Sequence, residues 1–209
     1  MNYNQYHFIK PCRAEQCIPP NMLQLYEKKY WLAQYKMNGT NSLIFVSDVD
    51  QNGERKIISR TRHDTPHKLW QFSDASMAAF EEMPTNGWYV FNAELLHSKT
   101  PHIKDTNFIH DILVYDSNYL VGSTYHYRYD LLHRIFKPLH TTWDGHWCVD
   151  SNTWIAQNFF RDFEDMFHNN LFPPRFNEND GKEGLILKNP SAILDVKSSS
   201  NWLVKCKRK

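Results

Sequence analysis

Lys36 opens the run Lys36-Met37-Asn38-Gly39-Thr40-Asn41, between the apolar stretch Tyr30-Trp31-Leu32-Ala33 and a β-rich segment. An amine there becomes a nucleophile only after losing its proton, from an ordinary lysine pKa of about 10.4. Desolvation and neighbouring cations both lower that value, so such a nucleophile requires other lysines around it. Lys188, Lys205 and Lys207 are the candidates to supply that field. Two carboxylates, Glu94 in Phe91-Asn92-Ala93-Glu94-Leu95-Leu96 and Glu183 in Lys182-Glu183-Gly184-Leu185-Ile186-Leu187-Lys188, stand at the boundaries of apolar strands. Carboxylates bind Mg²⁺ or Mn²⁺ directly or through its waters, and accept a hydrogen bond from a ribose hydroxyl. A lysine in a turn between strands is ordinarily a solvated surface group. Four lysines and two such carboxylates point instead to a site that manages a nucleotide and a divalent cation. Neither a Walker A loop nor G-x-G-x-x-G is present, which excludes the P-loop and Rossmann solutions to nucleotide binding.

These side chains need a scaffold. Ser42 to Val49 and Lys56 to Ser59 are β-rich and flank Asp50-Gln51-Asn52-Gly53-Glu54, and Asn-Gly is a strong turn signal, so a hairpin is expected. Leu69, Trp70, Met77 and Phe80 predict a helix over Pro66 to Met83, stopped by Pro84. Trp88 to Leu96 and Phe108 to Tyr115 read as strands. Ser123 to Phe136 and Thr153 to Phe167 read as helices, the second capped by Asn152. Gly184 to Lys188 and Trp202 to Lys205 close the chain as short strands, with Ser198 to Ser200 a loop before the last. In that last strand Lys205 and Lys207 project on one face, with Cys206 between them, and two ammonium groups on one face suit a phosphate. Hairpins and intervening helices without regular βαβ alternation give an α+β domain of antiparallel sheets flanked by helices.

The 24 Lys+Arg and 23 Asp+Glu leave a net charge of +1, which argues against nucleic-acid binding by bulk positive charge and shifts attention to the basic C-terminal run. At 209 residues, with 7 Trp, 11 Tyr and 13 Phe, one domain with a sizeable core is expected. Four cysteines without a C-x-x-C pair read as reduced thiols, and no apolar run suits a bilayer, so the expectation is an intracellular, cytoplasmic protein. The histidines, His97, His102, His140 and His146 among them, lack a paired metal-ligand spacing and read as structural or exposed. Tyr125-His126-Tyr127-Arg128-Tyr129 reads as a helix packing its aromatic face on the core.

Taken in order, these segments resemble the motif series of the covalent nucleotidyltransferases: ATP-dependent DNA ligases, RNA ligases and mRNA capping guanylyltransferases. Lys36-Met37-Asn38-Gly39 resembles their Lys-x-x-Gly motif, which makes Lys36 the lysyl-nucleotide site. Ile58-Ser59-Arg60 resembles the Ser-Arg element after the first hairpin, implying that Arg60 contacts phosphate or the nucleic-acid end. Glu94 matches the glutamate that contacts the ribose. His110-Asp111-Ile112-Leu113-Val114-Tyr115-Asp116 resembles the next motif, with His110 where the family usually stacks Phe or Tyr on the base. Glu183 and Lys188 match Glu-Gly-x-x-x-Lys, and Lys205 with Lys207 match the closing Lys-x-Lys that holds the α-phosphate. The match is collinear from Lys36 to Lys207, while Met1 to Lys29 offers a lid over the adenine.

The resemblance implies a nucleotidyltransferase (ligase adenylation domain) fold over 1–209, without a C-terminal oligonucleotide-binding domain. It implies ATP and Mg²⁺ (or Mn²⁺), with Glu183 the metal contact and Gly39, Arg60, Glu94, His110 and Lys188 on the nucleotide. Nicked or broken RNA, or DNA, is the implied partner, together with a separate nucleic-acid-binding subunit. Asn38-Gly39-Thr40-Asn41 looks most like the type 2 RNA ligases, since DNA ligases and capping enzymes usually have Asp where this chain has Asn38. The alternatives are an ATP-dependent DNA ligase, a GTP-dependent capping enzyme and a non-catalytic nucleic-acid-binding module.

Overall fold

The computed structural model describes residues 3–68, 70–84, 86–100, 102–141, 146–170, 181–196 and 199–207. Its strands are β1 (Arg13–Cys17), β2 (Leu32–Met37), β3 (Thr40–Val46), β4 (Ile57–Thr61), β5 (Tyr89–Leu96), β6 (Thr106–Tyr115), β7 (Asn118–Tyr119), β8 (His140–Thr141), β9 (His146–Cys148), β10 (Thr153–Ala156), β11 (Lys182–Lys188) and β12 (Ser199–Lys207). The α-helices are α1 (Leu23–Lys28), α2 (Asp74–Glu81), α3 (Tyr125–Phe136) and the single turn α4 (Phe163–Asp165). The strands make two sheets, one ordered β1-β12-β11-β2 and the other β4-β3-β5-β6-β10-β9-β8, with β7 paired to β6. Most pairs are antiparallel, as expected for this α+β chain, but β1 runs parallel to β12 and β10 parallel to β6.

The period-2 pattern of the smaller sheet divides its side chains between core and cleft. Ala33, Tyr35 and Met37 of β2, Leu185 and Leu187 of β11, and Val204 and Cys206 of β12 enter one apolar cluster. They meet Leu96, Phe108 and Ala156 from the larger sheet there. Leu185 and Leu187 are fully buried, each worth on the order of 1.5–3 kcal/mol. The alternate positions, Gln34, Lys36, Ile186, Lys188, Lys205 and Lys207, face the cleft between the sheets. The larger core joins Ile44, Val46, Phe91, Ile112 and Val114 to Phe80 of α2 and to Leu131, Leu132 and Phe136 of α3. The N-terminal Tyr6 belongs to that core, stacked on Tyr119 and edge-on to Trp88, so it braces the large sheet rather than covering a nucleotide. Among the described residues the lining of the cleft begins at Pro11.

Several expectations are corrected. The first hairpin forms, with Val46 opposite Ile57, but Lys36 lies on strand β2 rather than in a turn. The helix predicted over 66–83 is confined to Asp74–Glu81, with Leu69 outside the described residues. Ser73 starts it with a capping box, its Oγ accepting from Ser76 N while Ser76 Oγ accepts from Ser73 N, and that local stop outweighs the longer periodicity. The helix predicted over 153–167 is a strand for its first four residues. Thr153-Trp154-Ile155 fit a slot between β6 and β9 in which Ile155 and Ala156 are fully buried, and tertiary pairing overrides the helical spacing. Only α4 and a π-helical turn, Met166–Asn170, follow. The last strands extend to Lys182–Lys188 and Ser199–Lys207, so Ser199 and Ser200 belong to β12 rather than to a loop. α3 appears as expected, capped by Thr124, whose side chain accepts from Tyr127 N. All four cysteines are free thiols, and no helix among the described residues is long and apolar enough to cross a membrane.

Candidate active site

A cleft of about 1740 Å³ lies between the two sheets, and Lys36, Gly39, Glu94, His110, Glu183, Lys188, Lys205 and Lys207 all line it. Their convergence follows from register. Gly184 of β11 pairs with Lys36 of β2 on one side and with Lys207 of β12 on the other, which sets Glu183 beside both lysines. Lys36 Nζ donates a short hydrogen bond to Glu183 Oε1, and Lys207 Nζ stands 3.3 Å from the same oxygen. Gly184 permits this approach. Its φ of +154° is a conformation that L side chains rarely adopt, and a Cβ there would run into the Cys206 carbonyl and stand 2.9 Å from Lys207 Cα.

The lysine field takes a different form from the one expected. The partner of the Lys36 amine is a carboxylate, and only Lys207 of the other three lysines reaches that carboxylate. Burial works to raise the Glu183 carboxyl, but the hydrogen bond and charge of Lys36, reinforced by Lys207, hold it below its ordinary value. Glu183 is therefore anionic at neutral pH. Lys205 points to the same cleft, with its ammonium donating to Ala14 O of β1 at 2.9 Å. Arg208 and Lys209 of the basic run lie outside the described residues.

Glu94 faces the cleft from β5 and carries the turn after Lys36. A Cβ at Gly39 would stand 2.6 Å from Glu94 Cγ and 2.6 Å from Leu95 O, so glycine is required by close approach. Lys99 adds a contact absent from the sequence reading: its Nζ donates to Gly39 O at 2.6 Å. Burial drives the Glu94 carboxyl up to about 7 despite Lys36, Lys99 and the Gly39 N–H, with Glu183 adding to the rise.

At the other end of β11, Lys188 Nζ donates to His110 O at 3.0 Å and sits 4.2 Å from the centre of the Tyr125 ring. Lys188 is 4% exposed, and that burial lowers its ammonium to about 7. Burial, and then the charge of Lys188, hold His110 down to about 3, leaving a neutral imidazole on the wall. Beneath them Arg128 of α3 grips Asp111 with two parallel hydrogen bonds, Nε–Oδ1 at 2.8 Å and Nη2–Oδ2 at 2.9 Å. Gln34, two residues before Lys36 on the same face, donates to Tyr125 Oη at 2.9 Å and Asn158 Oδ1 at 2.8 Å. Period-2 spacing from Lys36 would have placed Gln34 in the cleft. No local pattern signals the Asp111–Arg128 pair, because it joins a strand to a helix face.

Arg60 is the candidate that the fold does not bring to the cleft. Its Nε donates to Asp64 Oδ1 at 3.2 Å and its guanidinium stands 5.2 Å from the Tyr3 ring centre. Arg62, His63, His67, Lys68 and Trp70 line the cleft from that segment instead. Among the described residues no group of three or more His, Cys, Asp and Glu side chains is arranged to hold a metal ion. The Glu183 carboxylate is a hard oxygen donor of the kind that suits Mg²⁺.

No family model matches the chain, and no curated protein matches it by sequence. Solved structures do. The chain is similar to mycobacterial DNA ligase D complexed with ATP, with TM-score 0.65 and 15% identity over 99% of this chain and 62% of that one. It is similar to the ligase domain of LigD from M. tuberculosis, with TM-score 0.64 and 16% identity over 99% of this chain and 61% of that one. A Lig E DNA ligase matches with TM-score 0.55 and 15% identity over 95% of this chain and 68% of that one. The chain thus spans about three fifths of the LigD chains and has the fold of a ligase nucleotidyltransferase domain.

Proposed function

We propose that the chain is an ATP-dependent polynucleotide ligase whose adenylation domain spans 1–209. The observation that carries this reading is the Lys36–Glu183–Lys207 cluster, an amine set against a carboxylate and a second ammonium inside the cleft between the sheets. Lys36 Nζ, once it has released a proton, forms a bond to the α-phosphorus of ATP as pyrophosphate leaves. Lys207 and Lys205 face the phosphate and offset the charge that develops on its oxygens. Glu94 accepts from the ribose, and His110 and Lys188 border the base. Gly39 keeps the turn close to Glu94. Mg²⁺ held through Glu183 would supply further neutralisation at the phosphate. The nucleotidyl group then moves to a 5′-phosphate end, and a 3′-hydroxyl displaces AMP. Each step is an in-line displacement at phosphorus, so one cleft serves all three.

RNA ends are the substrate we favour, on the strength of Asn38-Gly39-Thr40-Asn41. A DNA substrate has its own specific support, since the similar structures are DNA ligases. A separate nucleic-acid-binding subunit that clamps the duplex belongs to the same proposal. The test is transfer of label from α-labelled ATP, and separately GTP, to the protein. ATP-specific labelling lost in both Lys36→Ala and Lys36→Arg is expected, because guanidinium stays protonated. Labelling that survives either substitution overturns the assignment, GTP labelling redirects it to capping, and matched nicked duplexes decide between RNA and DNA.

A further inference from the structure

The turn behind Lys36 is gripped from two sides. Asn38 N–H donates to Gly181 O at 2.6 Å, immediately before the strand that carries Glu183. On the other side, the Gly39 N–H donates to the Glu94 carboxylate, and Lys99 Nζ donates to Gly39 O at 2.6 Å. Both polar groups of one glycine are therefore taken by the segment from Glu94 to Lys99. Close approach requires glycine at 39, and glycine also has the widest backbone freedom, so a fixed turn there depends on ties from outside it.

The loop that carries Lys99 is itself held. Thr100 is fully buried and its Oγ1 donates to Ile103 O at 2.8 Å, while Lys104 Nζ donates to His97 O at 2.7 Å. Thr100 Cγ2 also stands 2.7 Å from where a Gly181 Cβ would be, so the two segments that grip the turn pack on each other. Lys99 lines the cleft as an exposed residue, but its ammonium is directed at backbone. A hydrogen bond from an ammonium is charge-assisted and stronger than one between neutral groups.

We propose that Lys99 is a positioning residue for adenylation: its tie to the Gly39 carbonyl holds the turn behind Lys36 against Glu94, so that the nucleophile and the ribose-facing carboxylate keep one spacing. The catalytic consequence rests on the ligase reading above, whereas the tie is a property of the fold. A tie of this kind acts on rate because in-line attack tolerates little misplacement of the amine. The charge of Lys99 has a second effect. Glu94 is faced by Lys36 from β2, by Glu183 from β11 and by Lys99 from its own segment, and the two lysines oppose the burial and the Glu183 charge that raise its carboxyl.

The test is Lys99→Met, with Lys99→Gln beside it should the first not fold. Amide hydrogen exchange at Asn38 and Gly39, followed without nucleotide, is expected to quicken about tenfold as local opening becomes easier. Single-turnover transfer from α-labelled ATP at saturating concentration should slow about tenfold, inside the roughly 100-fold that a 1 Å misplacement costs. Lys99→Arg keeps charge and donors and should recover part of both. The pH at which ATP affinity strengthens should move upward in Lys99→Met and hold in Lys99→Arg, because only the first removes a charge that favours the Glu94 carboxylate. Lys104→Met, which removes an ammonium of the same loop from a different carbonyl, should match wild type in exchange and labelling. Wild-type exchange at Asn38 and Gly39 in the Lys99 variants overturns the proposal, as does an unchanged labelling rate. A weaker ATP affinity with an unchanged saturating rate overturns it too, since Lys99 would then act on the nucleotide directly. Wild type that fails to label with ATP overturns the ligase reading and the catalytic consequence with it, whatever the exchange shows.

Discussion

Gly184→Ala tests whether the site is assembled by the approach of three strands. Alanine at φ +154° is strained by about 1–3 kcal/mol. The added methyl meets backbone on β12, the Cys206 carbonyl and Lys207 Cα, and such overpacking typically costs a further 1–3 kcal/mol. The sum is about 2–6 kcal/mol, and near its midpoint a chain of this size loses about 8–16 °C of Tm. A shift of β12 by about 1 Å would also part Lys207 from Glu183, now 3.3 Å away, and a misplacement of that size costs up to about 100-fold in rate. Thermal unfolding and single-turnover transfer from α-labelled ATP read the two effects separately. Gly53→Ala is the control. It has φ +82° with nothing within 4 Å of an added Cβ, so it should lose only about 1–2 kcal/mol and label normally. A Gly184→Ala protein that melts within about 2 °C of wild type and labels at the same rate would refute the reasoning.

Two more expectations follow from buried charge. Arg128→Met leaves the Asp111 carboxylate, 5% exposed, without its guanidinium, and urea unfolding at pH 7 should show a loss of about 3–5 kcal/mol. Burial works to raise the Asp111 carboxyl, but Arg128 holds it below the ordinary 3.8, so its stabilisation is complete above that value and lost as pH falls below it. Acid unfolding of Asp111→Asn should lack that component, and an unchanged acid limb would count against the pair. Glu94 has the opposite sign. Its carboxyl is raised from 4.5 to about 7, so the folded state loses stability as pH rises between those values, and Glu94→Gln should remove that loss. If the ionised carboxylate receives the ribose, ATP affinity of the wild type should strengthen through about pH 7, and the Gln variant should show no such rise in equilibrium binding.

The strand alternation at Lys205 and Lys207 was legible because period 2 is a local property, with Val204 and Cys206 entering the core while the two lysines face the cleft, whereas a turn reading of Lys36 passed over the same alternation in β2. The glycines were legible as motif members, and the structure supplies their reason, since Gly39 and Gly184 stand where a Cβ would strike a neighbouring strand. The same local logic misassigned Thr153 to Ala156, whose helical spacing yields to a slot between two strands distant in sequence. The family resemblance placed Arg60 at the site, although Asp64 and Tyr3 hold that side chain elsewhere and Arg62 of the following loop lines the cleft. Sequence determined which residue types alternate along each strand. Tertiary structure decided which strands meet, and partner choice at this site is a matter of register and loop path.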